Sequence, residues 1–228
     1  MRVAIHQPQY LPWLGYFDKM DSADVFVILD DVQYKKNEWQ NRNKIRTAEG
    51  WQWLTVPVLY KFGQKMDKVR IDNHRDWRAR QAKSLEYNYS RAAYFSKYAS
   101  FFQDLFEKDW DLIVDLNIYI INHLKETLGI NTEVVNSSTL GVSSASTERL
   151  VEICAKLKAD IYLSGAGGKE YLEQGLFKDK GIELEFQEYV HPEYDQVYKG
   201  FYPYMSVVDL LFCHGDGSLD IIKEGRKS

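Results

Sequence analysis

Apolar and polar residues alternate along the first third of the chain in blocks that have the lengths of strands and short helices. Residues 2–6 (RVAIH) form a short apolar run before a loop with two prolines, and residues 14–23 are long enough for about two helical turns. Residues 24–32 (DVFVILDDV) form a second apolar run, which ends in two carboxylates. This order of strand, short helix and strand predicts the beginning of a parallel α/β sheet.

The middle of the chain changes from strand-like to helical patterns. After a polar and aromatic stretch over residues 32–45, residues 51–59 (WQWLTVPVL) read as one strand, in which Pro57 favours an edge or an end. Residues 67–72 form a further short strand. Three helices are then predicted, over residues 75–89, 94–108 and 112–128. We therefore predict a single α/β domain over residues 1–228, with a helical insertion or subdomain at 75–128.

The last third returns to strands that alternate with helices. The pattern predicts strands in residues 131–136, 160–164 and 181–189 and helices in 143–159 and 205–214, with Thr147 as an N-cap and Gly215 as the end of the last helix. Such alternation predicts a doubly wound, mainly parallel sheet. In these folds ligands bind at the carboxyl ends of the strands.

Composition narrows the class of protein. The chain has 228 residues, of which 45% are hydrophobic, 14% aromatic and 27% charged, so a sizeable core is expected. The formal net charge of −4, without a basic block, argues against an extended nucleic-acid surface. The residues show no signal peptide, no membrane span and no metal-binding spacing of the two cysteines. A cytoplasmic enzyme or binding protein is the expectation.

Two stretches are candidates for binding phosphate. Gly15 and Tyr16 begin a helix directly after a strand and a proline turn, where unpaired backbone N–H groups attract anions. A second strand leads into a glycine turn in which close backbone approach is possible. Its candidate residues are Ser164, Gly165, Gly167, Gly168 and Lys169. Neither stretch matches a P-loop or the dinucleotide-binding glycine pattern.

Two further stretches are candidates for substrate binding and acid–base chemistry. The segment after Asp30 and Asp31 is rich in amides and aromatic rings, a set that suits a sugar or nucleoside. Residues 187–198 supply a histidine before a proline, in extended backbone. The predicted catalytic residues are His6, Asp30, Asp31 and His191. The predicted substrate-binding residues are Gln7, Tyr10, Tyr34, Asn37, Trp39, Gln40, Asn41, Arg42, Asn43, Tyr194 and Gln196.

Five stretches together resemble the WbqC-like protein family: residues 5–20, 24–45, 54–58, 162–172 and 201–212. The run His-Gln-Pro-x-Tyr-Leu-Pro at residues 6–12 is the most specific of them. The resemblance implies a place in bacterial surface-polysaccharide biosynthesis, often of O-antigen and hence of lipopolysaccharide. It also implies action on amino sugars, including transfer of glycine to a sugar amine.

The first strand, turn and helix are also similar to the first motif of HIGH-type nucleotidyltransferases. In that group two histidines flank a glycine and hold the phosphates of ATP, whereas Trp13 and Tyr16 occupy those positions here. Neither side chain carries the positive charge that offsets a triphosphate, and His6, Lys19 or Arg42 would have to compensate.

The leading hypothesis is a transferase that forms an amide between the amine of a nucleotide-linked amino sugar and a small acyl or amino-acid donor such as glycine. His6 is the first choice as base, followed by Asp30 or Asp31. Activation by ATP with Mg²⁺ and delivery by a charged tRNA both stay open. The alternatives are a nucleotidyltransferase that acts on a sugar phosphate and a non-catalytic module that binds sugar nucleotides.

Overall fold

The computed structural model describes residues 1–227. Strands and helices are numbered here in chain order. The N-terminal part contains β1 (Arg2–His6), α1 (Leu14–Asp21), β2 (Val25–Ile28), β3 (Arg42–Thr47), β4 (Gly50–Thr55), β5 (Val58–Leu59) and β6 (Arg70–Ile71). The remainder contains α2 (Trp77–Tyr89), α3 (Phe95–Glu107), α4 (Ile113–Thr127), β7 (Glu133–Asn136), α5 (Ser146–Lys156), β8 (Ile161–Ser164), α6 (Gln174–Lys178), β9 (Glu183–Phe186), α7 (Val207–His214) and α8 (Ser218–Glu224).

A five-stranded parallel sheet lies at the centre of the fold, in the order β7-β2-β1-β8-β9. The chain builds outward from β1 through β2 to β7, and then returns to the other side of β1 with β8 and β9. The strand order therefore reverses between β1 and β8, and a ligand crevice is expected outside their carboxyl ends. The doubly wound α/β architecture predicted from the sequence is confirmed.

Each face of the sheet is covered by its own apolar cluster, because successive strand side chains point to opposite faces. Ala4, Phe26 and Ile28 join the larger cluster, to which α1, α4 and α7 contribute. Val3 and Val27 join the smaller cluster, to which α5 and α6 contribute. Helices on both faces leave the carboxyl edge of the sheet as the place where polar side chains can gather.

The prediction of one strand over residues 51–59 is wrong. The segment divides at Pro57 into β4, which pairs antiparallel with β3, and β5, which pairs with β6. The expected loop over residues 32–45 also ends early, since β3 begins at Arg42. Arg42 and Lys44 lie over the rings of Trp53 and Trp51, each at 4.3 Å, and these cation–π contacts stabilise the exposed face of the hairpin.

The three predicted helices of the middle segment form within two residues of the expected bounds. Their apolar residues belong to the same cluster as those of α1 and α7. The N-cap prediction for Thr147 is wrong: Ala145 precedes the helix, and Thr147 lies in its first turn, where its hydroxyl accepts from the backbone N–H of Glu173. None of the helices in residues 1–227 has the length and apolar character that crossing a membrane requires.

Candidate functional site

A cavity of about 500 Å³ opens at the carboxyl ends of β1, β2 and β8, beside the point where the strand order reverses. A second cavity of about 350 Å³ lies next to it. His6, Gln7 and Lys35 line both cavities, so these residues form the boundary between them. The site is therefore a cleft with two compartments, which we call the strand cavity and the loop cavity.

His6 ends β1 at this boundary and is neutral. Its Nδ1 lies 3.0 Å from the backbone carbonyl oxygen of Gln7. Because a carbonyl only accepts, Nδ1 carries the proton and Nε2 keeps a free lone pair. Burial, followed by the positive charge of Lys19, lowers the pKa of His6 to about 3. The side chain is thus a hydrogen-bond acceptor in the cleft at neutral pH.

Lys19 is the unusual residue of the strand cavity. Its side chain is only 2% exposed, and Nζ donates to the carbonyl oxygen of Ile5 at 2.8 Å. No carboxylate in residues 1–227 forms an ion pair with it. Burial lowers the pKa of Lys19 to about 7. A buried cation without a counter-ion is costly unless an anion joins it, so this residue favours an anionic ligand.

The glycine turn after β8 completes the strand cavity. Ser164, Gly165, Gly167 and Gly168 line it, and Gly168 N–H donates to Gly165 O at 2.9 Å to close the turn. A side chain at Gly165 would stand 3.9 Å from Lys19 Nζ. The predicted phosphate turn and the buried lysine therefore face the same space.

Lys169, predicted to bind phosphate, does not line either cavity. It is exposed and forms an ion pair with Glu188 at 3.5 Å. Gly15 and Tyr16 are also outside the cavities: Trp13 covers Gly15, and Tyr16 is buried in the core against Phe26. The N-terminus of α1 is therefore closed to a ligand, and the basic residues of the strand cavity are Lys19, one turn further along the same helix, Lys35 and Arg149.

Asp30 and Asp31 do not line either cavity, and both are engaged by hydrogen bonds, although Arg149, the partner of Asp31, does line the strand cavity. Asp30 accepts from the hydroxyls of Ser137 and Ser138 and from the backbone N–H of Ser138, at 2.5–3.0 Å. Asp31 pairs through both oxygens with Arg149 at 2.6 and 2.7 Å. Burial alone would raise the pKa of Asp31, but hydrogen bonds from Ser137 and Arg149 lower it. These acids connect the end of β2 to the segment after β7. This structural role is an alternative to their predicted role as base.

The loop predicted to bind a sugar, residues 34–43, contains some residues that line the cleft and others that contact the rest of the fold. Trp39 and Gln40 line the loop cavity with Lys35 and Glu38. The other loop residues are engaged elsewhere. Tyr34 is in the core, Asn41 donates to Val56 O, Asn43 donates to Leu11 O, and Arg42 donates to Asn37 O. Outside the loop, Tyr10 donates to Gln81. Two of the seven loop residues predicted to bind substrate therefore face the cleft.

His191, Tyr194 and Gln196 form part of a separate cluster. Tyr194 and Gln196 donate to the buried carboxylate of Asp209 at 2.8 and 2.9 Å. His191 stacks near Trp13, its Nδ1 lies 2.8 Å from Pro192 O, and burial lowers its pKa. The structure does not bring these three residues to the cavities that contain His6.

The cleft thus combines a neutral imidazole, an amide at Gln7, the buried amine of Lys19 and the guanidinium of Arg149. Within residues 1–227 no group of three or more His, Cys, Asp or Glu side chains is arranged to hold a metal ion. Trp13 and Tyr16 do not supply the charge that the nucleotidyltransferase motif places there. Sequence reasoning named Lys19 only as a possible substitute cation, since nothing in its local pattern distinguishes it from a surface lysine.

Comparisons with known proteins agree on one relationship. The family model described as the WbqC-like protein family matches residues 7–221. A protein of Mycobacterium tuberculosis (strain ATCC 25618 / H37Rv), named "Uncharacterized protein Rv1507c", is 37% identical over 230 residues, which cover 99% of each chain. No solved structure matches the chain.

Proposed function

Because this chain belongs to the WbqC-like protein family, which points to sugar or polysaccharide biosynthesis, we propose that it is a transferase acting on a nucleotide-linked amino sugar. In the proposed reaction the sugar amine receives a small acyl group, such as glycyl, and an amide forms. Such a reaction would serve the synthesis of a surface polysaccharide such as O-antigen.

One observation carries the proposal: a buried lysine with no carboxylate partner in residues 1–227 and a neutral imidazole line the same cavity. Lys19 favours a ligand with negative charge, and the adjacent glycine turn permits close approach of a phosphate. His6 offers a lone pair at Nε2 beside it. A phosphorylated substrate that must lose a proton matches both features.

The nucleotide and sugar parts of the ligand have a compartment each in this proposal. The diphosphate lies against Lys19 and the turn 164–168 in the strand cavity. The sugar extends across the boundary to the loop cavity, where Trp39 supplies an aromatic face and Gln40 an amide. The combined size of the two cavities is in the range of small-molecule sites.

The chemistry requires an amine that is neutral and an acyl group that is activated, as an ester or a phosphoric anhydride. The positive charge of Lys19 and the burial that lowers its pKa also favour the neutral form of a nearby amine. The amine nitrogen attacks the carbonyl carbon, and a C–N bond forms. As the leaving group departs with its electron pair, the nitrogen becomes strongly acidic, so His6 Nε2 accepts its proton even though the pKa of His6 is low.

The test uses the purified protein with a nucleotide-linked amino sugar and glycine, activated either by ATP or as a charged tRNA. Mass spectrometry should show the sugar nucleotide heavier by one glycyl group. The matched control replaces the sugar amine by a hydroxyl and should show no mass increase. If neither form of glycine gives an amide, the proposal is wrong. Release of pyrophosphate from a nucleoside triphosphate and a sugar phosphate would instead identify a nucleotidyltransferase.

A further inference from the structure

We propose that the side-chain N–H of Gln7 donates a hydrogen bond to the carbonyl oxygen of the transferred acyl group as that oxygen becomes negative. The inference rests on the proposed function and adds a catalytic residue to it. It also assigns Gln40 as the positioning residue that sets the direction of the Gln7 amide.

The direction of the Gln40 amide follows from a backbone contact. The backbone N–H of Lys35 lies 2.8 Å from Gln40 Oε1. A backbone N–H only donates, so the atom that faces it must be the carbonyl oxygen of Gln40. The NH₂ group of Gln40 is therefore forced to the opposite side.

Gln40 in turn fixes Gln7. Gln40 Nε2 donates to Gln7 Oε1 at 2.7 Å, so the oxygen of Gln7 is used and its NH₂ group is directed away from Gln40. No residue in the described part of the chain accepts a hydrogen bond from Gln7 Nε2. Because Gln7 lines both cavities, its two N–H donors belong to the boundary where the amide would form.

The support behind Gln40 is rigid. Gln40 is 2% exposed, and its backbone oxygen accepts from Nδ2 of the fully buried Asn117 at 2.8 Å. The side-chain amide of Gln40, held by the backbone N–H of Lys35 and by Gln7, cannot turn without losing both hydrogen bonds, and Asn117 fixes the backbone from which it projects. Preorganised donors of this kind stabilise a developing oxyanion more effectively than water does.

Gln7 and His6 have separate roles in the proposed reaction. His6 Nε2 takes the proton from the attacking nitrogen, and Gln7 Nε2–H stabilises the oxygen of the tetrahedral intermediate. When the C–O bond to the leaving group breaks, the oxygen returns to a carbonyl and the new amide remains. The sugar amine and the activated acyl donor are consumed, and the amide, the leaving group and one proton are the products.

The kinetic test is a pair of glutamine-to-glutamate variants. Gln7→Glu keeps an acceptor for Gln40 but removes the donor in the cleft, and kcat should fall about 10²- to 10³-fold while KM for the sugar nucleotide changes less than about threefold. Gln40→Glu keeps the acceptor for Lys35 but offers Gln7 an oxygen, so the Gln7 amide reverses and a similar loss of kcat is expected. Gln33→Glu, exposed and outside both cavities, adds the same charge and should leave kcat unchanged.

A binding measurement separates this inference from the proposed function. The side-chain ¹⁵N–¹H₂ signals of Gln7 should shift when a nucleotide-linked N-acetyl amino sugar is added, and Gln7→Glu should bind it at least about tenfold more weakly. The non-acetylated amino sugar should bind both proteins equally. A wild-type protein that forms no amide disproves the proposed function, whereas unchanged Gln7 signals or equal binding of the acetylated ligand disproves the role of Gln7. Thermal unfolding confirms that each variant is folded.

Discussion

Lys19 Nζ donates a 2.8 Å hydrogen bond to the backbone oxygen of Ile5, the residue before His6. This contact links α1 to the carboxyl end of β1 and holds an ammonium group next to a neutral imidazole. The arrangement lowers the stability of the ligand-free protein, because the Lys19 amine is removed from water and no carboxylate in residues 1–227 pairs with it. It is useful for a protein that binds a phosphorylated ligand.

Replacing Lys19 should therefore separate ligand binding from stability. Lys19→Met keeps the apolar stem, and calorimetry should show roughly 10- to 100-fold weaker binding of a sugar nucleotide, from the loss of a charge-assisted contact. The free energy of unfolding should be equal or higher. Lys169→Met is the control: Lys169 points to Glu188, and affinity should change less than about twofold. A larger effect at Lys169 than at Lys19 would restore the sequence-based assignment.

The free energy of unfolding should depend on pH because of Lys19. Its pKa is about 7 in the folded protein against an ordinary value of 10.5, so between these values the unfolded chain binds more protons than the folded one. The free energy of unfolding should therefore rise with pH across that window. Urea titrations of the wild type and Lys19→Met from pH 7 to 9 test this, and parallel curves would contradict it.

His6→Gln should abolish the proton acceptor while leaving the fold intact. We expect kcat for amide formation to fall about 10²- to 10⁴-fold with little change in affinity for the sugar nucleotide. His214→Gln is the control, since His214 contacts Asp195 O and lines neither cavity of the cleft. Unchanged turnover in His6→Gln would place the base elsewhere.

Asp31 is expected to act on stability. Asp31→Asn leaves Arg149 buried without its carboxylate, and the free energy of unfolding should fall by roughly 3–5 kcal/mol. Because the pKa of Asp31 is lowered in the folded state, its stabilisation is present above the ordinary value of 3.8 and is lost as pH falls below it. Chemical denaturation measures both effects. An unchanged free energy of unfolding in Asp31→Asn would disprove this structural role.

Two neighbouring glycines should respond differently to the same change. A Cβ at Gly168 would stand 2.2 Å from Ser164 Oγ, whereas nothing lies within 4 Å of one at Gly167. Gly168→Ala should lower the free energy of unfolding by about 1–3 kcal/mol, and Gly167→Ala should leave it nearly unchanged. Thermal denaturation of both variants gives the comparison, and equal melting temperatures would disprove the close contact.

Local sequence determined the sheet and the edge at which the cleft lies. Apolar runs such as residues 2–6 and 24–28 are long enough for buried strands and too short for helices, so their class can be read directly. The polar residues that end β1 and β8, His6 and Ser164, lie at the same carboxyl edge because these strands are parallel. The prediction of one strand around Pro57 was wrong because the local sequence does not determine which strands pair.

The tertiary structure alone decided which polar residues meet in the cleft. The sequence made Asp30 a candidate base and Lys19 only a substitute cation, but among residues 1–227 folding supplies three donors to Asp30 and no carboxylate to Lys19. Gln40 and Gln7 are 33 residues apart, and their contact depends on how the loop returns over β1. Hydrogen bonding and desolvation depend on distances between segments, so sequence names the candidates and packing assigns their chemistry.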